Sequence, residues 1–187
     1  MKRYDAVKLV REHLKDNHLV VICNGMIGRE VWTAGDRQSH FYMIGSMGLA
    51  SSIGMGLAQT QEDKDVVVID GDGNVLMNMG TLGNIAAAKL PNFYHIVLDN
   101  SVHDSTGGQK TIADQFPLEQ VAKVCGYARV ELAKTWDELK RKLNGFFDEP
   151  GPAMLRVVVE PGNVKGIGRV EPEPPELARR FRQVATS

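Results

Sequence analysis

The sequence predicts an α/β protein: a mostly parallel sheet covered on both faces by helices, in a three-layer α/β/α arrangement. Two observations predict it. Apolar runs at Leu19–Cys23, Val66–Ile69, Tyr94–Leu98 and Ala153–Val159 alternate with segments of helical character. The stretch joining the second run to the third is also long enough for one crossover helix, which would bring both strands out at the same sheet edge. A hydrophobic fraction of 43% supports a real core, and 187 residues fit one compact domain. That domain spans residues 1–187, with a C-terminal loop and helix from about residue 161.

The elements follow in order. Residues 4–17 read as an amphipathic helix with Val7, Val10 and Leu14 on one stripe. Leu19–Cys23 is a short buried strand, Asn24-Gly25 a turn, and a helix begins over Gly28–Trp32. Phe41–Ile44 leads into Gly45-Ser46-Met47-Gly48, and a helix of small residues runs on to about Gln59. Residues 66–100 are a strand–helix–strand unit with Pro91 before the second strand. A Gly/Ser/Thr loop covers 101–111, helices return at 117–124 and 135–147, and Ala128–Leu132 is a short strand. Ala153–Val159 is a late strand. Pro161, Pro172, Pro174 and Pro175 mark a loop before a final amphipathic helix over Glu176–Val184.

Net charge is −1, with acids and bases interleaved, so neither a nucleic-acid footprint nor a polybasic membrane patch is indicated. Cys23 and Cys125 each follow apolar residues, show no CxxC spacing, and read as buried free thiols. The N-terminus runs into a charged amphipathic segment rather than a signal sequence, and no stretch of 18 apolar residues occurs, so a cytosolic location is expected.

The most informative residues are Gly71-Asp72-Gly73-Asn74 after one predicted strand and Asp99-Asn100 at the end of the next. Twenty-six residues, 74–99, lie between Gly73 and Asn100. Two glycines let a backbone approach a diphosphate closely, and an Asp carboxylate with an Asn amide oxygen are hard ligands suited to magnesium. Alone, Gly-Asp-Gly could equally be a strand-to-helix turn with Asp72 as a cap. It also begins like the dinucleotide-binding G-x-G-x-x-G, but Leu76 fills the third glycine position, and there is no P-loop Gly-Lys-Ser/Thr.

The pattern of Gly-Asp-Gly, about two dozen residues, then Asn resembles the signature of the thiamine-diphosphate enzymes, which usually close on Asn-Asn where this chain has Asp99-Asn100. The resemblance implies the diphosphate-binding domain of that family. Asp72 and Asn100 then give side-chain oxygens to Mg2+, Val102 gives its main-chain carbonyl, and Gly71, Gly73 and Asn74 border the diphosphate. The turn Gly45-Ser46-Met47-Gly48 resembles the family's aminopyrimidine site, where Gly45 would offer its carbonyl, and Met47 its amide and a side-chain wedge beneath thiamine diphosphate. The family often holds the diphosphate with hydroxyl residues after the first strand; here only Asn24 and backbone amides such as that of Gly25 are available.

Phe41–Ala58 together with His103–Thr111 looks most like the sulfopyruvate and phosphonopyruvate decarboxylases, a similarity covering roughly residues 4–160. In length the chain resembles the small beta subunit of the former. The resemblance implies decarboxylation of a 2-oxo acid, with sulfopyruvate favoured and a phosphonopyruvate or acetolactate-synthase-like activity as alternatives. Only one Gly-Asp-Gly domain fits in the chain, so the activating glutamate is expected from a pyrimidine-binding-domain partner, the alpha subunit of a hetero-oligomer. His103 is a candidate for proton transfer, and Lys110, Gln109 and Arg29 for holding the substrate's anionic group. A non-catalytic binding or regulatory subunit is the alternative of another class.

Overall fold

A computed structural model describes residues 1–187. From the N-terminus the elements are α1 (Arg3–His13), β1 (Leu19–Ile22), α2 (Met26–Ala34), β2 (His40–Tyr42), α3 (Ala50–Thr60), β3 (Val66–Gly71), α4 (Asp72–Met77), α5 (Gly80–Ala88) and β4 (Phe93–Asp99). Then come β5 (Val102–His103), β6 (Gln109–Lys110), α6 (Leu118–Cys125), β7 (Arg129–Ala133), α7 (Trp136–Leu143), β8 (Ala153–Val158) and α8 (Pro174–Ala185). Six strands pair in the order β2-β1-β3-β4-β8-β7, every pair parallel. Helices α1, α2 and α7 pack together on one face, and α3, α5 and α6 on the other. The three-layer arrangement expected from the apolar runs is the one observed.

Every residue of β1, β3 and β4 is buried, as strands covered on both faces require. Helix α3 lies flush on the sheet because Gly54 has no side chain: a Cβ there would fall 2.3 Å from Val68 Cγ2 and 3.2 Å from the Phe93 ring. Helix α8 covers the β2 edge, with the Phe41 and Phe181 rings 5.4 Å apart. Such cover removes an exposed strand edge that could pair with other chains. Both cysteines are free; Cys23 is buried, which pushes its thiol pKa up, and Cys125 is half-buried. No helix is long and apolar enough to cross a membrane.

Four departures from the sequence reading have local causes. Helix α1 stops at His13, because Leu14 is already extended (φ −70°, ψ 130°). The crossover between β3 and β4 is two helices rather than one, because Asn78 leaves helical geometry (φ −140°, ψ 47°) and its amide donates to Ser52 Oγ at 3.1 Å. Helix α7 starts at a Thr135/Glu138 capping box. It ends at Leu143, where Asn144 turns extended and Gly145 takes a positive φ of 79°. The 101–111 segment holds an antiparallel ribbon, β5–β6, in which Val102 faces Lys110 and His103 faces Gln109.

Candidate active site

The chain leaves β1 for β2 on one side of the sheet and then returns to β3 on the other, so the direction of winding reverses between β1 and β3. Parallel α/β sheets open a crevice at such a reversal, beyond the C-terminal strand ends. Two loops meet there. Asn24-Gly25 follows β1, and Gly71-Asp72-Gly73 joins β3 to α4. Gly25, at φ 88°, makes the sharp entry into α2 that side-chain-bearing residues rarely adopt.

One narrow cavity of about 60 Å³ lies at this crevice. Its walls include Asn24, Gly25, Met47, Gly71, Asp72, Gly73, Asn74, Asn100, Val102 and His103, ten residues singled out from sequence. Asp99-Asn100 closes β4, which pairs in register with β3, so Asn100 reaches the same edge as Asp72. Gly45 and Ser46 are exposed and outside the cavity wall; their turn is tied in through Asn74, whose Oδ1 accepts the Gly48 N–H at 2.9 Å. Asn74 thus spends its side-chain oxygen on bracing the turn. Lys110 is also exposed, but shares an adjoining shallow groove with Gly73, Met77, His103 and Ile112. Gln109 bonds to Thr106 instead of facing either hollow, and Arg29 lies outside both.

Asp72 does not cap α4. The helix has Gly71 at its cap position with no side-chain hydrogen bond, while Asp72 Oδ2 accepts from Thr111 Oγ1 at 2.5 Å. Burial pushes the Asp72 carboxyl above its usual range, with Asp99 adding to the effect; bonds from Thr111 and the backbone of Asn100 and Gly73 oppose it. A buried carboxylate whose desolvation outweighs its hydrogen bonds favours a cation beside it. Asn100 Oδ1 accepts the Val102 N–H at 3.2 Å, which leaves one of the oxygen's two lone pairs.

The residues fit a divalent ion and a diphosphate. No group of three His, Cys, Asp or Glu suited to a metal occurs anywhere. The donors here are one carboxylate, one amide oxygen and one backbone carbonyl, a set that suits magnesium completing its shell with phosphate oxygens. Asn24 Oδ1, on the cavity wall, is buried without a protein partner. Gly73 is cradled so closely that a Cβ would meet His103 Cε1 at 2.6 Å and Met47 Cε at 3.1 Å. Ser46 (φ 54°) and Ser101 (φ 57°) are two of only three non-glycine residues with positive φ, and both sit in turns bordering the site. Strain of about 1–3 kcal/mol per such residue collects at functional turns.

Sequence reasoning missed the supports. Asp99 points away from the cavity and is bonded by Arg156 at 2.7 and 2.5 Å, with Glu119 on the guanidinium's other side at 2.5 Å. The departure from Asn-Asn therefore serves a buried ion cluster. An arginine inside the apolar run Ala153–Val158 was the available signal, since a buried charge must be paired. Arg3, Glu30 and Asp104 form a second cluster. Nothing in the local sequence set Arg3 apart from an ordinary solvated helix charge.

The family described as "Thiamine pyrophosphate enzyme, C-terminal TPP binding domain" matches residues 21–157. The chain is 41% identical over 184 residues to phosphonopyruvate decarboxylase of Streptomyces hygroscopicus, covering 98% of this chain and 46% of that protein. It is 37% identical over 183 residues to sulfopyruvate decarboxylase subunit beta of Methanocaldococcus jannaschii, covering 97% and 96% respectively. Its fold aligns with benzoylformate decarboxylase from Polynucleobacter necessarius at a TM-score of 0.72 and 16% identity, over 91% of this chain and 34% of that one. The chain thus spans about half the length of the phosphonopyruvate decarboxylases it matches and nearly all of the sulfopyruvate decarboxylase beta subunits. It belongs to the thiamine pyrophosphate enzyme family, as that family's C-terminal TPP-binding domain.

Proposed function

We propose that this chain is the diphosphate- and magnesium-binding subunit of a split, cytoplasmic, thiamine-diphosphate-dependent 2-oxo acid decarboxylase that acts on sulfopyruvate. The observation that carries the reading is the meeting of Asp72, Asn100 and Val102 with Gly71 and Gly73 around one cavity. In this reading Asp72 and Asn100 hold Mg2+ through side-chain oxygens and Val102 through its carbonyl. Gly71 and Gly73 admit the diphosphate, and Asn24 on the same wall offers its amide NH2 to it. Thiamine diphosphate, when bound, supplies the electron sink that decarboxylation needs.

The chain's own residues position and enclose the reacting end. Asn74 holds the Gly45–Gly48 turn, from which Met47 reaches the cavity wall. The His103 ring lies against Gly73, so it borders the surface the diphosphate would approach. In this reading His103 is available for proton transfer and Lys110, in the adjoining groove, for the substrate's sulfonate.

The activating glutamate comes, in this reading, from a pyrimidine-domain alpha subunit. The half-length match to phosphonopyruvate decarboxylases and the near full-length match to sulfopyruvate decarboxylase beta subunits support a split site. So do the exposed apolar side chains of Met77 and Ile112 beside Gly73. Phosphonopyruvate is the second substrate reading, favoured by the 41% identity to its decarboxylase. The test is carbon dioxide release from sulfopyruvate, phosphonopyruvate and pyruvate by the chain with and without its partner. The expected result is no turnover alone and the highest kcat/KM for sulfopyruvate in the complex. Turnover by the purified chain alone refutes the split site, and a wide preference for pyruvate refutes the substrate class.

A further inference from the structure

The Arg3 guanidinium is buried between three elements. Its Nε and Nη2 donate to the two Glu30 oxygens at 2.8 and 3.0 Å, a bidentate pair that fixes α1 to α2. Its Nη1 donates to Asp104 Oδ2 at 2.7 Å, and Nη2 also reaches Asn163 Oδ1 at 3.0 Å. Every nitrogen is engaged, and both Arg3 and Glu30 are fully buried at the site's flank. Asp104 gathers its donors mainly on Oδ2. Besides Arg3, its carboxylate accepts the Gly162 N–H at 3.2 Å and the Asn100 Nδ2 at 2.6 Å.

The last of these bonds decides what Asn100 can do. An ionised carboxylate only accepts hydrogen bonds, so it must face the NH2 end of the amide. The oxygen end is thereby kept for the Val102 N–H and for a cation. We propose that Asp104, held in place by the Arg3–Glu30 pair, is the positioning residue that fixes the amide orientation of Asn100 and so sets the affinity of the magnesium site. With Asp104 absent, only the Val102 N–H at 3.2 Å opposes rotation of the amide to the orientation that presents NH2, which repels a cation. The inference rests on the assignment of Asn100 as a magnesium ligand made above. Donors from α1, the β4 exit and the 160–163 loop converge on Asp104 Oδ2, while Oδ1 shares only the Gly162 N–H at 3.3 Å.

The test titrates Mg2+ into the partner-reconstituted complex at fixed thiamine diphosphate and follows cofactor binding by calorimetry, with Tm measured in parallel. Asp104→Ala should raise the Mg2+ concentration for half-saturation at least ten-fold, as loss of an outer partner of a metal ligand commonly does. Asp104→Asn can still accept from Asn100 through its own oxygen, and should stay within about three-fold while losing the ion pair to Arg3. Should the alanine variant fail to assemble, Asp104→Ser, too short to reach Asn100, replaces it with the same expectation. The proposal is overturned if half-saturation in a folded Asp104→Ala or Asp104→Ser complex stays within two-fold of the parent. It is also overturned if the Asn and Ala variants weaken Mg2+ equally, which would assign the effect to the ion pair alone. A parent complex that binds the cofactor without Mg2+ refutes the metal assignment instead, and the two failures are thus told apart.

Discussion

Gly73→Ala separates stability from cofactor binding at one atom. The added Cβ would sit 2.6 Å from His103 Cε1, 2.9 Å from its Nδ1 and 3.1 Å from Met47 Cε. Ordinary contact needs about 3.5 Å or more, so the His103 ring must retreat by about 1 Å. His103 belongs to the half-buried two-residue strand β5, and the cost of such overpacking is about 1–3 kcal/mol. Alanine recovers up to about 1 kcal/mol of helix propensity in α4. The net loss is then about 0–3 kcal/mol, and at about 2–4 °C per kcal/mol for a domain of this size Tm should fall by no more than about 12 °C. Cofactor binding should suffer more. The methyl group occupies the surface where a diphosphate would approach the backbone, and displacing one charge-assisted hydrogen bond is worth about 1.5–3 kcal/mol, or roughly 10–150-fold in affinity. Scanning calorimetry and titration calorimetry on the partner-reconstituted complex measure the two effects separately. Cofactor affinity within two-fold of the parent, in a folded variant, refutes the placement of the diphosphate against Gly73.

Four further outcomes are expected. Asp72→Ala should abolish Mg2+-dependent cofactor binding in a folded variant; unchanged affinity by calorimetry refutes the assignment. Lys110→Ala should raise the KM for sulfopyruvate in the complex by at least five-fold and leave the affinity for thiamine diphosphate within two-fold; equal effects on both refute the anion site. Gly54→Ala should cost at least about 2 kcal/mol, because the new Cβ would meet Val68 Cγ2 at 2.3 Å in a tightly packed layer; denaturant unfolding measures it. Burial lowers the His40 pKa to about 4, and the His18 pKa likewise to about 4. The unfolded chain takes up these protons near pH 6.5 while the folded chain does not until about pH 4, so stability is full above 6.5 and falls as pH drops through that window. His40 alone contributes on the order of 2–3 kcal/mol, and Tm measured from pH 7 to 4.5 should decline less steeply in His40→Gln.

The sequence carried the sheet because its central strands are continuous apolar runs, and a doubly covered strand has no other way to satisfy both faces. It carried Asp72 and Asn100 because strand register converts a spacing along the chain into proximity at one edge. The Asn78 interruption escaped notice because a single residue leaving helical geometry barely alters a periodic pattern. The β5–β6 ribbon escaped because two-residue strands have no period to read. Arg3 and Asp104 lie 101 positions apart, and their bond depends on α1, α2 and the β4 exit converging, which no local window contains. Asn74 was legible as a site residue but not in its role, since its bond to Gly48 joins two loops that are separate in sequence.

Met77 and Ile112, about 60% exposed, share their groove with Gly73 and His103, so whatever covers these apolar side chains also touches the wall of the cofactor cavity. Under the proposed function, a partner seated on this groove contacts Gly73 and His103, and any effect it has on cofactor binding is reciprocal. If a partner tightens cofactor binding by some factor, the cofactor must tighten the partner's association by the same factor. Dilution and cofactor scarcity then act through one equilibrium: each frees the two halves from one another, and each is offset by raising the other component.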